Sequence, residues 1–341
     1  MTIKNLTNYP LVNIIIPAWK EGEIFRGCLS SVFKLKYPNL KVITNVGGSE
    51  KTLQIARSFD SYENLIILEQ KEGYGKVKAI NDALNKVFEG IVVFIDADIY
   101  LTNDVFIKSL YYIIEMNYDV VCTLLKPHRS QIKDDLTSLV YINRYARHKK
   151  KLNQFRNSIT PFSCIKYEVI QAIGKFPERQ LLGDGKVMGT AIINQKYKIY
   201  RINQFVESFN YPNNIKSYFH QNIRWIENRL SGLYKDKKLR LITIFFYLLA
   251  CIYLFVFPFL ITLNFGLFLI GIFLYINFYL KKIRNYIFYI TTTRKSDSQK
   301  VSVRYFIKLF YYVYLEIIVN LLAIIEFVFY KKKYKARKNI S

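Results

Sequence analysis

Soft metal-ligating side chains are scarce in this chain of 341 residues, which has four cysteines and three histidines. Cys28, Cys122, Cys164 and Cys251 form no CxxC pair and no cluster with a histidine. That argues against a zinc site or a disulfide scaffold and suits a reducing cytoplasm. Acidic charge is also sparse, 25 Asp and Glu against 50 Lys and Arg, for a formal net charge of +25. The first 125 residues lack any basic excess and sum to −1. The positive charge lies at 126–156 (+7), 229–240 (+4), 281–304 (+6) and 331–341 (+6), mostly beside apolar stretches. A nucleic-acid binder spreads basic charge over its folded face, so the expected partner is a membrane and not nucleic acid. A disordered chain is excluded by a content of 51% hydrophobic and 16% aromatic residues. No long apolar run opens the sequence: Leu11–Ile16 gives way to polar Lys20–Glu23, which reads against a signal peptide.

What is present begins with an alternation. Leu11–Ile16, Lys41–Thr44, Leu65–Leu68 and Ile91–Ile95 are short β-rich runs. Between them Glu21–Phe33, Ser49–Phe59 (with Ser49 as N-cap) and Lys76–Phe88 carry helical patterns. Strands separated by helices of this length imply βαβ crossovers and a largely parallel sheet. Ligands then bind beyond the carboxyl ends of the strands. Residues 126–210 are more mixed, with a basic amphipathic stretch at Asp134–Gln154, apolar Ile159–Cys164, a glycine-rich turn at Leu182–Gly189 and a strand at Tyr197–Ile202. Tyr218–Leu230 is a helix pattern interleaving aromatic and basic residues.

Leu241–Leu280 contains no charge at all. Its length is about twice what ~30 Å of hydrocarbon requires, so two crossings fit, turning at Pro258 and Asn264–Gly266. Val303–Tyr330 is long enough for a third, but Arg304, Lys308, Glu316, Asn320 and Glu326 share an arc of roughly 160°. That arc fits an interfacial helix or a crossing whose polar side meets other helices. Lys235–Arg240 and a loop over 281–304 both read as cytoplasmic; a third crossing then puts Lys331–Lys338 outside, against the positive-inside tendency, so the topology of 303–330 stays open.

The chemistry-bearing residues follow strands. Ile91–Tyr100 ends a hydrophobic run in Asp96-Ala97-Asp98, two carboxylates that suit hard divalent cations completed by phosphate oxygens. By itself D-x-D also describes a solvated strand-end pair. Around it stand Ile14-Ile15-Ile16-Pro17-Ala18-Trp19-Lys20-Glu21, Gly75-Lys76-Val77-Lys78-Ala79-Ile80-Asn81, Leu182-Gly183-Asp184 and Gln221-Asn222-Ile223-Arg224-Trp225. In this order and spacing, over roughly residues 10–230, the set resembles the inverting family-2 glycosyltransferases of GT-A fold, in their membrane-bound branch with a QxxRW motif.

The resemblance implies roles. Pro17, Ala18 and Glu21 would line the nucleotide pocket, and Trp19 would pack near the base or serve as a plain core aromatic. Lys76 would lie near the diphosphate, or else be a solvated helix charge; Asp96 would meet nucleotide and metal, and Asp98 would hold the metal, Mg²⁺ or Mn²⁺. Asp184 would be the general base on the acceptor hydroxyl, the alternative being a turn aspartate bonded to its own backbone. Arg224 would meet the donor diphosphate with its planar fork, while Gln221 and Trp225, at i,i+4, would face the acceptor. Two features depart from the family. The loop after the second strand, Asn45-Val46-Gly47-Gly48-Ser49, lacks its acidic pair, and Gly183 replaces the Glu that often precedes the catalytic Asp. Cys164, in Pro161-Phe162-Ser163-Cys164, reads as a buried strand cysteine, and Arg144–Lys151 as a solvated basic face with anionic lipid as its second role.

The expectation is an α/β protein with a GT-A-like, Rossmann-type, mostly parallel sheet and helices on both faces. A cytoplasmic domain over 1–232 (nucleotide half 1–125, acceptor half 126–232) would precede a multi-pass region in the cell membrane over 233–341, with helices near 241–262, 264–280 and 303–330. Its partners would be a nucleotide-sugar donor, a UDP-sugar in preference to a GDP-sugar, and a lipid or glycan acceptor. Single transfer is weighed against a processive polysaccharide synthase, and outside enzymes against an inactive membrane-anchored binding module.

Overall fold

The computed structural model describes residues 6–73, 75–131, 135–149, 161–178, 184–233, 237–293 and 303–329. The chain forms two units: Met1–Gln131 with Lys151–Tyr211, and Ile132–Lys150 with Pro212–Ile340.

In the first unit β1 (Val12–Trp19), α1 (Glu23–Val32), β2 (Leu40–Gly47), α2 (Glu50–Arg57), β3 (Leu65–Gln70), α3 (Gly75–Leu84) and β4 (Ile91–Ile95) realise the expected alternation. Then follow β5 (Ile99–Tyr100), α4 (Asn103–Ile114) and β6 (Val120–Pro127). α5 (Asp135–Lys149) belongs to the second unit, and β7 (Phe162–Lys166), α6 (Tyr167–Ile173), α7 (Asp184–Asn194) and β8 (Ile199–Ser208) return to the first. One sheet runs β3-β2-β1-β4-β7-β6-β8-β5. β1, β2, β3 and β4 pair in parallel, as do β6 and β8, whereas β7 pairs antiparallel with β4 and β6, and β5 with β8. The parallel half coincides with the stretch where strand and helix alternate in sequence, because only a crossover returns the chain to the same end of the sheet.

Buried on both faces, β4 at the centre of the sheet is apolar without interruption. On β4, Ile91, Val93 and Ile95 enter the core beneath α1, α2 and α4 with Phe25, Ile55, Phe106 and Leu110. Val92 and Phe94 enter the opposite core with Ile80 of α3, Val169 of α6, and Met188 and Ile192 of α7. Each such aliphatic side chain contributes roughly 1.5–3 kcal/mol by leaving water. Ser49 caps α2 as expected, accepting from Thr52 N–H at 3.3 Å.

Three boundaries differ from expectation. The glycine-rich turn is helical from Asp184 onward, since an aspartate at a helix start satisfies the turn signal equally well. β8 continues to Ser208, well past Ile202. The loop read over 281–304 is helical through Thr293, because a helix needs backbone hydrogen bonds and not apolar side chains to continue. Leu182, Gly183, residues 294–302 and the tail Lys331–Lys338 lie outside the described residues.

The second unit adds α8 (Ile215–Leu233), α9 (Lys237–Val256), a 3-10 turn (Phe257–Ile261) that begins around Pro258, α10 (Phe265–Thr293) and α11 (Val303–Phe329). Phe265–Thr293 and Tyr305–Glu326 are long and apolar enough to cross a membrane. Phe265, Leu269, Phe273, Ile276 and Leu280 of α10 are exposed.

Candidate active site

The parallel register brings the carboxyl ends of β1, β2, β3 and β4 to one edge, since Trp19 pairs with Gly47, Gly47 with Gln70, and Ile15 with Phe94. Pro17 and Ala18 are buried there and Trp19 is half-buried. Just beyond, Lys20 reverses the chain with φ +56° and donates its N–H to Gly47 O at 2.9 Å. Glu21 follows outside α1, its carbonyl accepting from Thr52 Oγ1 at 2.7 Å.

The indole of Trp19 explains the glycine pair. A Cβ on Gly47 would lie 2.8 Å from Trp19 Cζ3 and 2.4 Å from Gln70 O, and one on Gly48 would lie 2.6 Å from Trp19 Cε2. Gly48 also has φ +80°, a conformation only glycine adopts freely. The loop that lacks the family's carboxylates therefore seats an aromatic ring.

Asp96 leaves β4 with its N–H donating to Pro161 O at 3.2 Å and its carbonyl accepting from Ile99 N–H at 3.1 Å. Its Oδ1 lies 2.7 Å from Lys76 Nζ, with roughly a third of each side chain exposed, 29% and 33%. Lys76 is the second residue of α3, so the cation stands where the helix already presents unpaired N–H groups. A phosphate gains from both. Asp98 is held differently. Ser208, buried at the end of β8, donates its hydroxyl to Asp98 Oδ2 at 3.0 Å and accepts from Asn210 N–H at 3.0 Å. Phe209 N–H donates to the Asp98 carbonyl at 2.9 Å. Burial pushes the Cys28 thiol well above its ordinary pKa, and the nearby charges of Asp98 and Asp96 push in the same direction. The cysteine beneath the carboxylates therefore stays a neutral thiol.

Among the described residues no group of three His, Cys, Asp or Glu side chains could hold a metal. A two-carboxylate donor set fits Mg²⁺ or Mn²⁺, which keep waters and take phosphate oxygens, and does not fit a closed zinc site. Asp184 is the first residue of α7, and its side chain lies outside the described residues.

In the second unit, Gln221 and Trp225 share one face of α8, and Arg224 is exposed. Arg144 of α5 donates from Nη2 to Gln221 Oε1 at 2.9 Å and stacks its guanidinium 3.8 Å from the Trp225 ring centroid. Ser208 was not singled out from the sequence, and Arg144 was read there only as part of a solvated basic face. Nothing in a lone serine marks it, and a basic run on an amphipathic helix looks solvated until its partner helix is placed. Cys164 is fully buried on β7, as expected.

The eight-stranded sheet, parallel through β3-β2-β1-β4 with helices on both faces, defines an α/β protein of GT-A-like fold. The mannosyltransferase PcManGT of Pyrobaculum calidifontis, solved with GDP-Man and Mn²⁺, shares this fold with a TM-score of 0.58 at 17% identity, covering 95% of this chain and 89% of that one. The family model for glycosyltransferase-like family 2 matches residues 10–228, and the chain belongs to that family. Glycosyltransferase AglE of Haloferax volcanii is 34% identical over 93 residues, 26% of this chain and 31% of that protein. The poly-beta-1,6-N-acetyl-D-glucosamine synthase of Staphylococcus epidermidis is 27% identical over 94 residues, 27% of this chain and 23% of that enzyme. The matches thus span about a third or less of these relatives' lengths.

Proposed function

We propose that the chain is a membrane-bound inverting glycosyltransferase that moves a sugar from a nucleotide-sugar donor to a lipid or lipid-linked saccharide. The observation that carries this reading is the edge where Lys76 meets Asp96 at 2.7 Å and Ser208 holds Asp98 at 3.0 Å. Family membership supports a transferase, and the Mn²⁺ and GDP-Man bound by the mannosyltransferase of like fold support a sugar nucleotide with a divalent ion. Asp96 and Asp98 would hold the ion, which supplies positive charge against the diphosphate. Lys76 would add a cation for the same leaving group, a role that the QxxRW resemblance also gives to Arg224. Pro17, Ala18, Trp19 and Glu21 border the nucleotide, with the Trp19 indole offering a flat face to the base. Asp184, at the start of α7, would take the proton from the acceptor hydroxyl as the new bond forms, a role that typically contributes ~10²–10⁴-fold in rate. Gln221 and Trp225 engage the acceptor. The long apolar helices and the exposed side chains of α10 support an anchor in the cell membrane, with the catalytic domain on the cytoplasmic side.

Binding of UDP- and GDP-sugars with Mn²⁺, Mg²⁺ or chelator tests the donor and metal. Asp184→Asn then tests the chemistry: transfer is lost while nucleotide affinity stays within about twofold. Equal loss of both would make Asp184 structural. A processive reading draws on the likeness to the polysaccharide synthase. Purified protein that extends product into a ladder or high polymer would establish it in place of single transfer.

A further inference from the structure

Arg144 belongs to a run that reads in sequence as solvated, and the second unit gives it a different setting. Arg147, one turn on, is exposed, whereas Arg144 is partly buried with its guanidinium against α8. One planar group performs two tasks there. Its Cζ lies over the Trp225 ring, 3.8 Å from the centroid, and its Nη2 donates to Gln221 Oε1 at 2.9 Å. Lysine has no plane to stack and no in-plane fork, so it cannot do both at once. The hydrogen bond also fixes which end of the Gln221 amide faces the cation, because guanidinium donates only to oxygen.

The helix bearing Arg144 is itself pinned. Thr137 Oγ1 donates to Pro212 O at 2.9 Å, Asn285 Nδ2 donates to Asn143 Oδ1 at 3.2 Å, and Tyr145 meets the Tyr289 ring edge-on at 5.1 Å. The guanidinium is therefore delivered from a fixed backbone, and the two acceptor-motif side chains orient to it.

We propose that Arg144 is a positioning residue for acceptor engagement: it sets the indole plane of Trp225 and the amide of Gln221, and acts on transfer only through them. The proposal rests on the reading that Gln221 and Trp225 meet the acceptor. A stacked cation and a charge-assisted hydrogen bond together make the expected effect of losing Arg144 about tenfold.

The chain has two tryptophans, so Trp19→Phe leaves Trp225 as the single emitter. In that background, Arg144→Ala should raise acrylamide quenching of Trp225 at least about twofold, with Arg144→Lys intermediate. Thermal melts verify that each variant folds. If Arg144→Ala does not fold, Arg144→Lys and Gln221→Met supply the same comparison. In native-tryptophan membranes given radiolabelled donor, Arg144→Ala should lower incorporation into endogenous acceptors about tenfold while the donor KM moves less than twofold, and Arg144→Lys should recover part of the loss. Unchanged quenching in a folded variant, or a parallel loss of donor affinity and incorporation, overturns the proposal. If the parent protein binds no sugar nucleotide, the transferase reading fails instead, and the quenching comparison still decides whether Arg144 holds the indole.

Discussion

Replacing Lys76 with Met separates a phosphate-binding cation from an ordinary helix charge, because it predicts effects of opposite sign. With Nζ 2.7 Å from Asp96 Oδ1, the gross Coulomb attraction is about 1.5 kcal/mol in bulk water and about 6 kcal/mol at an effective dielectric of 20. Both side chains are close to a third exposed, so solvent screening and side-chain entropy reduce the net contribution to about 1 kcal/mol or less. Lys76 is also the second residue of α3, where a cation opposes the helix dipole by about 0.3–1 kcal/mol. The two terms nearly cancel, so Lys76→Met should leave the melting temperature within about 3 °C. Ion binding shifts much more. A unit charge about 5 Å from a dication repels it by about 1.7 kcal/mol in water, and salt screening reduces this to nearer 1 kcal/mol. Donor-free Mn²⁺ should therefore bind Lys76→Met about fivefold more tightly. Nucleoside diphosphate with Mn²⁺ should bind at least about tenfold more weakly, since a charged hydrogen bond is lost. Isothermal titration of both ligands decides the matter. Weaker Mn²⁺ binding, or no change in either constant, would refute the assignment of Lys76 to the diphosphate.

Ser208→Ala removes a buried hydroxyl that bridges Asp98 Oδ2 and Asn210 N–H; stability should fall by about 1–2 kcal/mol in urea titration and Mn²⁺ affinity by about threefold or more. Gly48→Ala forces a side chain onto φ +80° and against the Trp19 ring at 2.6 Å, so it should cost at least about 2 kcal/mol and shift Trp19 emission; a neutral effect would mean that the ring is not seated there. His128 is held below its ordinary pKa of 6.5 chiefly by burial, with Arg129 and Lys126 acting in the same direction and Glu207 against them. The folded state thus disfavours the proton that the unfolded chain accepts. This contribution to stability is present above pH 6.5 and is lost as pH falls through the depressed value. His128→Gln should flatten the loss of stability between about pH 7 and pH 5, measured by denaturant midpoints.

The parallel edge of the sheet was legible because its determinants are local. Short β-rich runs separated by helical patterns specify parallel strands, and parallel strands collect whatever follows them at one edge. Asp96 and Asp98 could therefore be placed at that edge from order alone, whereas Lys76 was singled out by the family resemblance. What order could not show were contacts made by residues arriving from elsewhere. Ser208 reaches Asp98 only because β8 extends past Ile202 and pairs antiparallel with β5, and strand length is set there by partners that no period-2 pattern announces. The glycine pair at 47–48 read as the loss of a family feature. With the indole in place, the same residues have a positive reason: neither position admits a Cβ beside Trp19.

The apolar helices show how a charge pattern gains meaning only from a neighbour. Val303–Tyr330 posed a choice because its polar residues share an arc, and composition cannot say whether that arc faces water or protein. On α11, Glu316 lies 2.5 Å from Lys282 of α10, and the Lys282 side chain is only 11% exposed. Lys282 also approaches the Tyr312 ring at 5.2 Å, and Asn320 turns its amide onto the Glu316 carbonyl. Part of the polar arc is therefore spent on another helix. The same pairing gives Lys282, one of the charges α10 runs through on its way to Thr293, a partner inside the helical unit. A lysine that finds a carboxylate and a ring on the adjacent helix does not require water, so it does not mark a boundary. Charge ends a helix's apolar signal without ending the helix, because lysine and arginine are themselves good helix formers.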